Sequence, residues 1–153
     1  MKENQDWKAY TMSKYTNFEG DNLDNYLGHE MIEIKENYVK SKLNVKDHHK
    51  QPMGLVHGGI YSTLAETISS YGANFLDGGT YVGVNNNTDF LSSVQDGEIV
   101  CIAEPIRIGR SFQLWECKMY HEEKLCAVSK VRLSKVKWKN FLYYFCFLVF
   151  VLR

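Results

Sequence analysis

Residues 51–79 constrain this chain more than any other stretch. Gln51-Pro52-Met53-Gly54-Leu55-Val56-His57-Gly58-Gly59 is a tight loop with three glycines, and it runs directly into a helical pattern. Ile60, Leu64, Ile68, Tyr71 and Phe75 recur at spacings of four, four, three and four, which draws one apolar stripe along a helix. Ala65, Ser69, Gly72 and Ala73 lie beside the stripe, and their small side chains let another surface come close. Asp77-Gly78-Gly79 ends the helix, because glycine takes the left-handed cap conformation at little cost. Between Gly58 and Phe75, Glu66 is the only ionisable side chain apart from the tyrosines. A helix so poor in charge is expected to be buried, and a carboxylate inside it then needs a partner or a task.

Glu66 has Ser62 one turn before it and Ser70 one turn after, all on one face. Two readings of that face stand side by side: an ordinary solvated polar strip, or a catalytic carboxylate between hydroxyls. The loop favours the second. The N–H groups of Gly58 and Gly59 are expected to be free at the helix start, where they and the helix dipole suit a developing negative charge. A fixed Glu can act as general base or as nucleophile toward an acyl carbonyl, and the residues leave both roles open.

The rest of the chain reads as strands around that helix. Asp21 to Gly28 is a short capped helix. Glu30 to Glu36 alternates, with Ile32 and Ile34 on one face, and Glu36-Asn37 makes a hairpin turn. Over Tyr38 to Lys46, Val39, Ser41, Leu43 and Val45 face one way and lysines and Asn44 the other. Asp47 to Lys50 is a charged loop. Thr80 to Phe90, Glu98 to Ile108, Ser111 to Tyr120 and Leu125 to Lys137 supply four more strands. Pro105 marks an edge position or a bulge. An antiparallel sheet wrapped around one helix satisfies both periods, an α+β arrangement.

Composition narrows the function. Lys plus Arg and Asp plus Glu number 18 each, so no basic field draws nucleic acid. The four cysteines (101, 117, 126 and 146) contain no C-x-x-C pair, and the polar first thirty residues carry no apolar signal segment. Free thiols in a cytoplasmic protein are expected. His48, His49 and His57 have no acidic or cysteine partner at ligand spacing, so no metal is expected. No G-x-S-x-G elbow appears, which disfavours an α/β-hydrolase. Phe141 to Leu152 is an apolar run whose helix would span about 18 Å, short of the roughly 30 Å hydrocarbon core. A surface-lying helix, a strand or an interface segment all stay open for it.

Gln51-Pro-x-Gly-x-x-His57-Gly58-Gly59, followed by Leu64-Ala65-Glu66 and Ser70, resembles the hotdog-fold acyl-CoA thioesterases. The branch it is most similar to is the PaaI-like one that hydrolyses 4-hydroxybenzoyl-CoA and 1,4-dihydroxy-2-naphthoyl-CoA. The resemblance runs from about Gln51 to about Val136. It implies a single hotdog domain over residues 1–137, with an N-terminal extension, and leaves the apolar tail 138–153 without a role. It implies hydrolysis of a medium-chain or aromatic acyl-CoA without a cofactor, in a homodimer or homotetramer whose site lies between protomers. Gln51, His57 and Gly58 of one subunit would then face Glu66 of the other.

In that comparison Gly58 N–H, beside Gly59, and the Gln51 side chain polarise the carbonyl. His57 orients the loop or lies near the thioester. Ser70 sits near the attacking water or the acyl ring. Arg107, Arg110 and Lys130 lie where the family binds the CoA phosphates. Phe90 stands where the relatives carry a histidine, which removes a polar contact at the acyl end. Two rivals come from other classes. One is a hotdog enoyl-thioester hydratase or dehydratase, whose loop normally carries prolines where this one carries glycines. The other is a non-catalytic acyl-CoA binding module.

Overall fold

The computed structural model describes residues 21–136; residues 1–20 and 137–153, with Lys137 at the expected end of the last strand, the apolar tail and Cys146, lie outside the described residues. Helix α1 (Leu23–Leu27) leads into strands β1 (His29–Lys35) and β2 (Tyr38–Asn44). A 3-10 turn (Asp47–His49) and the glycine loop then precede helix α2 (Gly58–Asp77). Strands β3 (Thr80–Phe90), β4 (Glu98–Ile108), β5 (Phe112–His121) and β6 (Lys124–Val136) complete the order. All six strands form one antiparallel sheet in the order β1-β2-β4-β5-β6-β3.

Local chemistry explains most boundaries. The Asn22 side chain caps α1 at the N–H of Asn25, and Gly28 closes it with φ of 69°. Asn37 takes a left-handed φ of 62° in the β1–β2 turn, a conformation asparagine tolerates. Helix α2 ends at Gly78, whose N–H returns to the Asn74 carbonyl. Alternation then decides which side chains face the helix. Val39, Ser41 and Leu43 of β2, Cys101 and Ala103 of β4, and Trp115, Cys117 and Met119 of β5 are all buried. Across the sheet Val39 pairs with Ala103, Ala103 with Cys117, Cys117 with Ser129 and Ser129 with Thr88, so one inward row crosses five strands.

The small residues of α2 do what their size permits. Ala65, Ser69 and Ala73 are fully buried. A Cβ on Gly72 would lie 2.4 Å from Cη2 of Trp115 and 3.0 Å from Cγ2 of Val39. The glycine therefore lets the indole seat against the helix backbone. The buried face runs through Tyr61, Leu64, Ala65, Ile68, Ser69 and Gly72, while Ile60, Tyr71 and Phe75 of the expected stripe are only half-buried.

Two expectations change in the fold, on β1 and on α2, and the open choice at Pro105 is decided. A register shift between Met31 and Glu33 breaks the alternation of β1, so Ile32 is exposed while Ile34 packs toward the core. Pro105 lies in an interior strand, not an edge one, and resolves as a bulge between Pro105 and Arg107. Its missing N–H is tolerated because pairing with β2 stops at Ala103. Helix α2 is buried on one face only: Glu66 is exposed, and Ser62 and Ser70 are half-buried.

Candidate active site

The loop before α2 is held by its own backbone. Gln51 N–H donates to the Leu55 carbonyl at 2.8 Å, and Gly54 N–H to the Gln51 carbonyl at 2.9 Å. Gly54 has a φ of 81°, which makes this turn a glycine position. The Gln51 side-chain oxygen accepts from Met53 N–H, so its NH2 end is the one available to a ligand. His57 N–H donates to the His49 carbonyl at 2.8 Å, which ties the helix start to the 3-10 turn.

His57 is the N-cap of α2. Its Nδ1 accepts from Gly59 N–H at 2.9 Å. Of the two N–H groups expected to be free, only Gly58's has no acceptor among the described residues; Gly59's is used by the cap. His57 therefore acts on the loop as a neutral acceptor at Nδ1. The first helical turn leaves Gly58 N–H directed outward, along the positive end of a twenty-residue helix.

Phe90, at the end of β3, lies over this glycine. A Cβ on Gly58 would meet Phe90 Cζ at 2.5 Å, and the ring centroid is 5.9 Å from that of Tyr61. Gln51, Gly58, Tyr61 and Phe90 line one cleft of about 330 Å³. Burial pushes the Tyr61 phenol well above its ordinary value, so it stays protonated near neutral pH.

Glu66 and Ser70 open onto a different cavity, of about 410 Å³, between α1 and α2. Asp24 shares that wall with Thr63, Thr67 and Asn74. Its Oδ1 accepts from Thr67 Oγ1 at 3.0 Å and lies 3.3 Å from His29 Nδ1. His29 Nε2 is in turn 2.8 Å from the hydroxyl of the fully buried Ser41. Sequence reasoning missed Asp24, since an acid in the first turn of a helix reads as an ordinary dipole partner. Only the fold brings it beside Glu66.

Arg107 and Arg110 line a third cavity, of about 570 Å³, together with Phe112 and Arg132. Lys130 does not line it; it faces Glu116 and Asn87 in the register of β6, and Arg132 lines the cavity instead. The two share strand parity and both point outward; what separates them is position along β6, because Arg132 lies opposite Leu114 near the β4–β5 turn.

The described cysteines are poor nucleophiles. Cys101, Cys117 and Cys126 are free and buried. Burial raises the Cys126 thiol to about 11, and a hydrogen bond with Cys101, reinforced by burial, raises Cys117. Among the described residues no cluster of His, Cys, Asp and Glu could hold a metal ion, and no helix is long and apolar enough to cross a membrane. The arrangement thus places Gly58 and the Gln51 side chain in one cleft, the exposed Glu66 carboxylate in another, and three arginines in a third.

Comparison with known proteins places the chain in a family. The model of the thioesterase superfamily matches residues 53–127. A protein from Haemophilus influenzae described as a putative esterase is 33% identical over 132 residues, covering 84% of this chain and 96% of its own. A 1,4-dihydroxy-2-naphthoyl-CoA hydrolase from Listeria monocytogenes is 33% identical over 118 residues, covering 75% of this chain and 96% of its own. The crystal structure of a Haemophilus influenzae thioesterase superposes with a TM-score of 0.77 at 31% identity, covering 85% and 93% of the two chains. The PaaI protein of Escherichia coli shares the fold, with a TM-score of 0.76 at 20% identity over 85% of this chain and 94% of that one. On these matches the chain belongs to the thioesterase superfamily and is a thioester hydrolase of the hotdog fold.

Proposed function

We propose that the protein hydrolyses a medium-chain or aromatic acyl-CoA in a site built by two protomers. One observation carries this reading: within one chain, the oxyanion groups and the carboxylate open onto separate cavities. Gly58 and Glu66 are eight residues apart on α2, about 12 Å along the axis. A second copy supplies the missing half. Strand β3 is an edge of the sheet, and Val82 and Val84 on it are exposed, which supports antiparallel pairing of two copies along β3.

In such a dimer the thioester oxygen accepts from Gly58 N–H and the Gln51 amide of one subunit. Glu66 of the other takes a proton from an attacking water, or attacks the carbonyl itself. The tetrahedral oxyanion is held by the two donors until the C–S bond breaks. With water as nucleophile, the thiolate takes the proton that Glu66 accepted and the acid departs; with Glu66 as nucleophile, water then cleaves the mixed anhydride, releasing the acid and supplying the thiolate's proton. Arg107, Arg110 and Arg132 offer three cations beside exposed Ile106, Ile108 and Phe112, a surface suited to phosphates on an apolar arm. Asp24 places an acceptor on the wall beside Glu66, which favours an acyl group carrying a hydroxyl donor. The relationship to a 1,4-dihydroxy-2-naphthoyl-CoA hydrolase supports the aromatic end of the range.

The test is thiol release from a panel of acyl-CoAs, repeated with the same acyl groups on N-acetylcysteamine, which lacks the phosphates. Hydrolysis of the CoA esters is expected. Arg107→Ala combined with Arg132→Ala should raise KM for CoA esters about tenfold and leave the truncated esters unchanged. Hydration of an enoyl-CoA without thiol release, or binding without turnover, would overturn the proposal.

A further inference from the structure

Glycine weakens a strand, so Gly83 in the middle of β3 needs a reason. Its backbone is not in the left-handed region, so conformation is not the reason. What it touches is Glu66. A Cβ on Gly83 would lie 2.7 Å from Glu66 Oε1 and 3.1 Å from its Cδ. The carboxylate therefore rests directly on the backbone of the edge strand, beside the register shift between Gly83 and Asn85.

A second, separate contact reaches the same turn. Asn86 Nδ2 donates to the Ser62 carbonyl at 2.8 Å. In the helical pattern that carbonyl also accepts the N–H of Glu66. The amide is held in this orientation from behind: Thr88 Oγ1 donates to Asn86 Oδ1 at 2.8 Å and lies 2.7 Å from the Ser129 hydroxyl. We infer that Gly83 and Asn86 are positioning residues for the catalytic carboxylate. Gly83 leaves the seat in which the carboxylate lies, and Asn86 clamps the turn from which it projects. The inference rests on reading Glu66 as the catalytic acid.

Seat and stability separate in a useful way. Alanine at 83 suits the strand backbone, and the atom it displaces is the far end of a flexible side chain. The carboxylate must move from 2.7 Å to the 3.4 Å at which ordinary contact begins, a shift of about 0.7 Å. Folding is expected to tolerate that shift, whereas catalysis is sensitive to it.

The experiment compares Gly83→Ala with the wild-type protein on its best acyl-CoA. The expected result is a fall in kcat of at least about tenfold, with KM within about twofold, and with thermal midpoint and assembly mass unchanged. Glu66→Asp withdraws the carboxylate from the seat, so in that background Gly83→Ala should cost less than about threefold. Asn86→Ala, which does not crowd the edge, should also lower kcat more than it raises KM. An equal loss from Gly83→Ala in both backgrounds, or a kcat near wild type, overturns the inference while leaving the hydrolase reading intact. A readout independent of turnover is the Glu66 carboxyl carbon resonance at fixed pH, assigned by its loss in Glu66→Gln. Gly83→Ala should move its chemical shift, and an unmoved resonance refutes the seat. Wild-type protein that cleaves no thioester defeats the proposed function instead, and the resonance then decides the seat by itself.

Discussion

A mixed dimer puts the shared site to a quantitative test. Gly58 and Glu66 are separated by two turns of one rigid helix, about 12 Å. A carbonyl held by Gly58 N–H, and a carboxylate acting on it through one water, must lie within roughly 6 Å of each other. That backbone separation, with the two groups opening onto separate cavities, is why the proposed site draws them from two protomers. Glu66→Gln should reduce kcat at least a hundredfold. Gln51→Ala removes one oxyanion donor and should cost about a hundredfold. Co-expressing the two variants with different tags, and purifying the doubly tagged dimer, creates two unlike sites. One joins an intact loop to an intact carboxylate; the other joins both defects. The heterodimer should recover about half of wild-type turnover per dimer. Activity no higher than the better parent would refute a site shared between subunits and require both groups to act within one chain.

Two further outcomes bear on the scaffold. Gly72→Ala drives a Cβ to 2.4 Å from the fully buried Trp115, so overpacking of about 1–3 kcal/mol should outweigh a helix-propensity gain of about 1 kcal/mol. A lower thermal midpoint with an unchanged denaturant slope is expected. His49 is fully buried beside the loop, and its pKa is lowered by desolvation and by His48; its Nδ1 accepts from Lys46 N–H. The unfolded state then binds the proton more readily, so stability contributed by neutral His49 is complete above about pH 6.5 and is lost as pH falls through the depressed native value. Thermal midpoints measured from pH 7.5 down to 5 should fall more steeply for the wild type than for His49→Gln.

Much of the molecule is written in local patterns. Alternation over Val39, Ser41 and Leu43, and over Trp115, Cys117 and Met119, depends only on the period of a strand. The helix from Gly58 to Asp77 follows from its stripe and its glycine cap. The loop and the lone helix carboxylate mark Gly58 and Glu66 as candidates before any fold is known, and the family resemblance adds Gln51. These features concern residues close in sequence, whose geometry the backbone imposes directly. The sequence did not place Glu66 on an open face, because its scarcity of charged neighbours says nothing about which surface is covered.

Sheet order decided the remainder. Gly83 and Asn86 meet α2 because β3 leaves its neighbours in sequence and pairs with β6 at the edge. Arg132 joins Arg107 and Arg110 through the register of β5 with β6, and Asp24 shares a cavity wall with Glu66 because α1 packs against the central helix at Thr67. Each of these juxtapositions joins residues tens of positions apart. Their contact depends on register and packing summed over the whole sheet, and no local period carries that information.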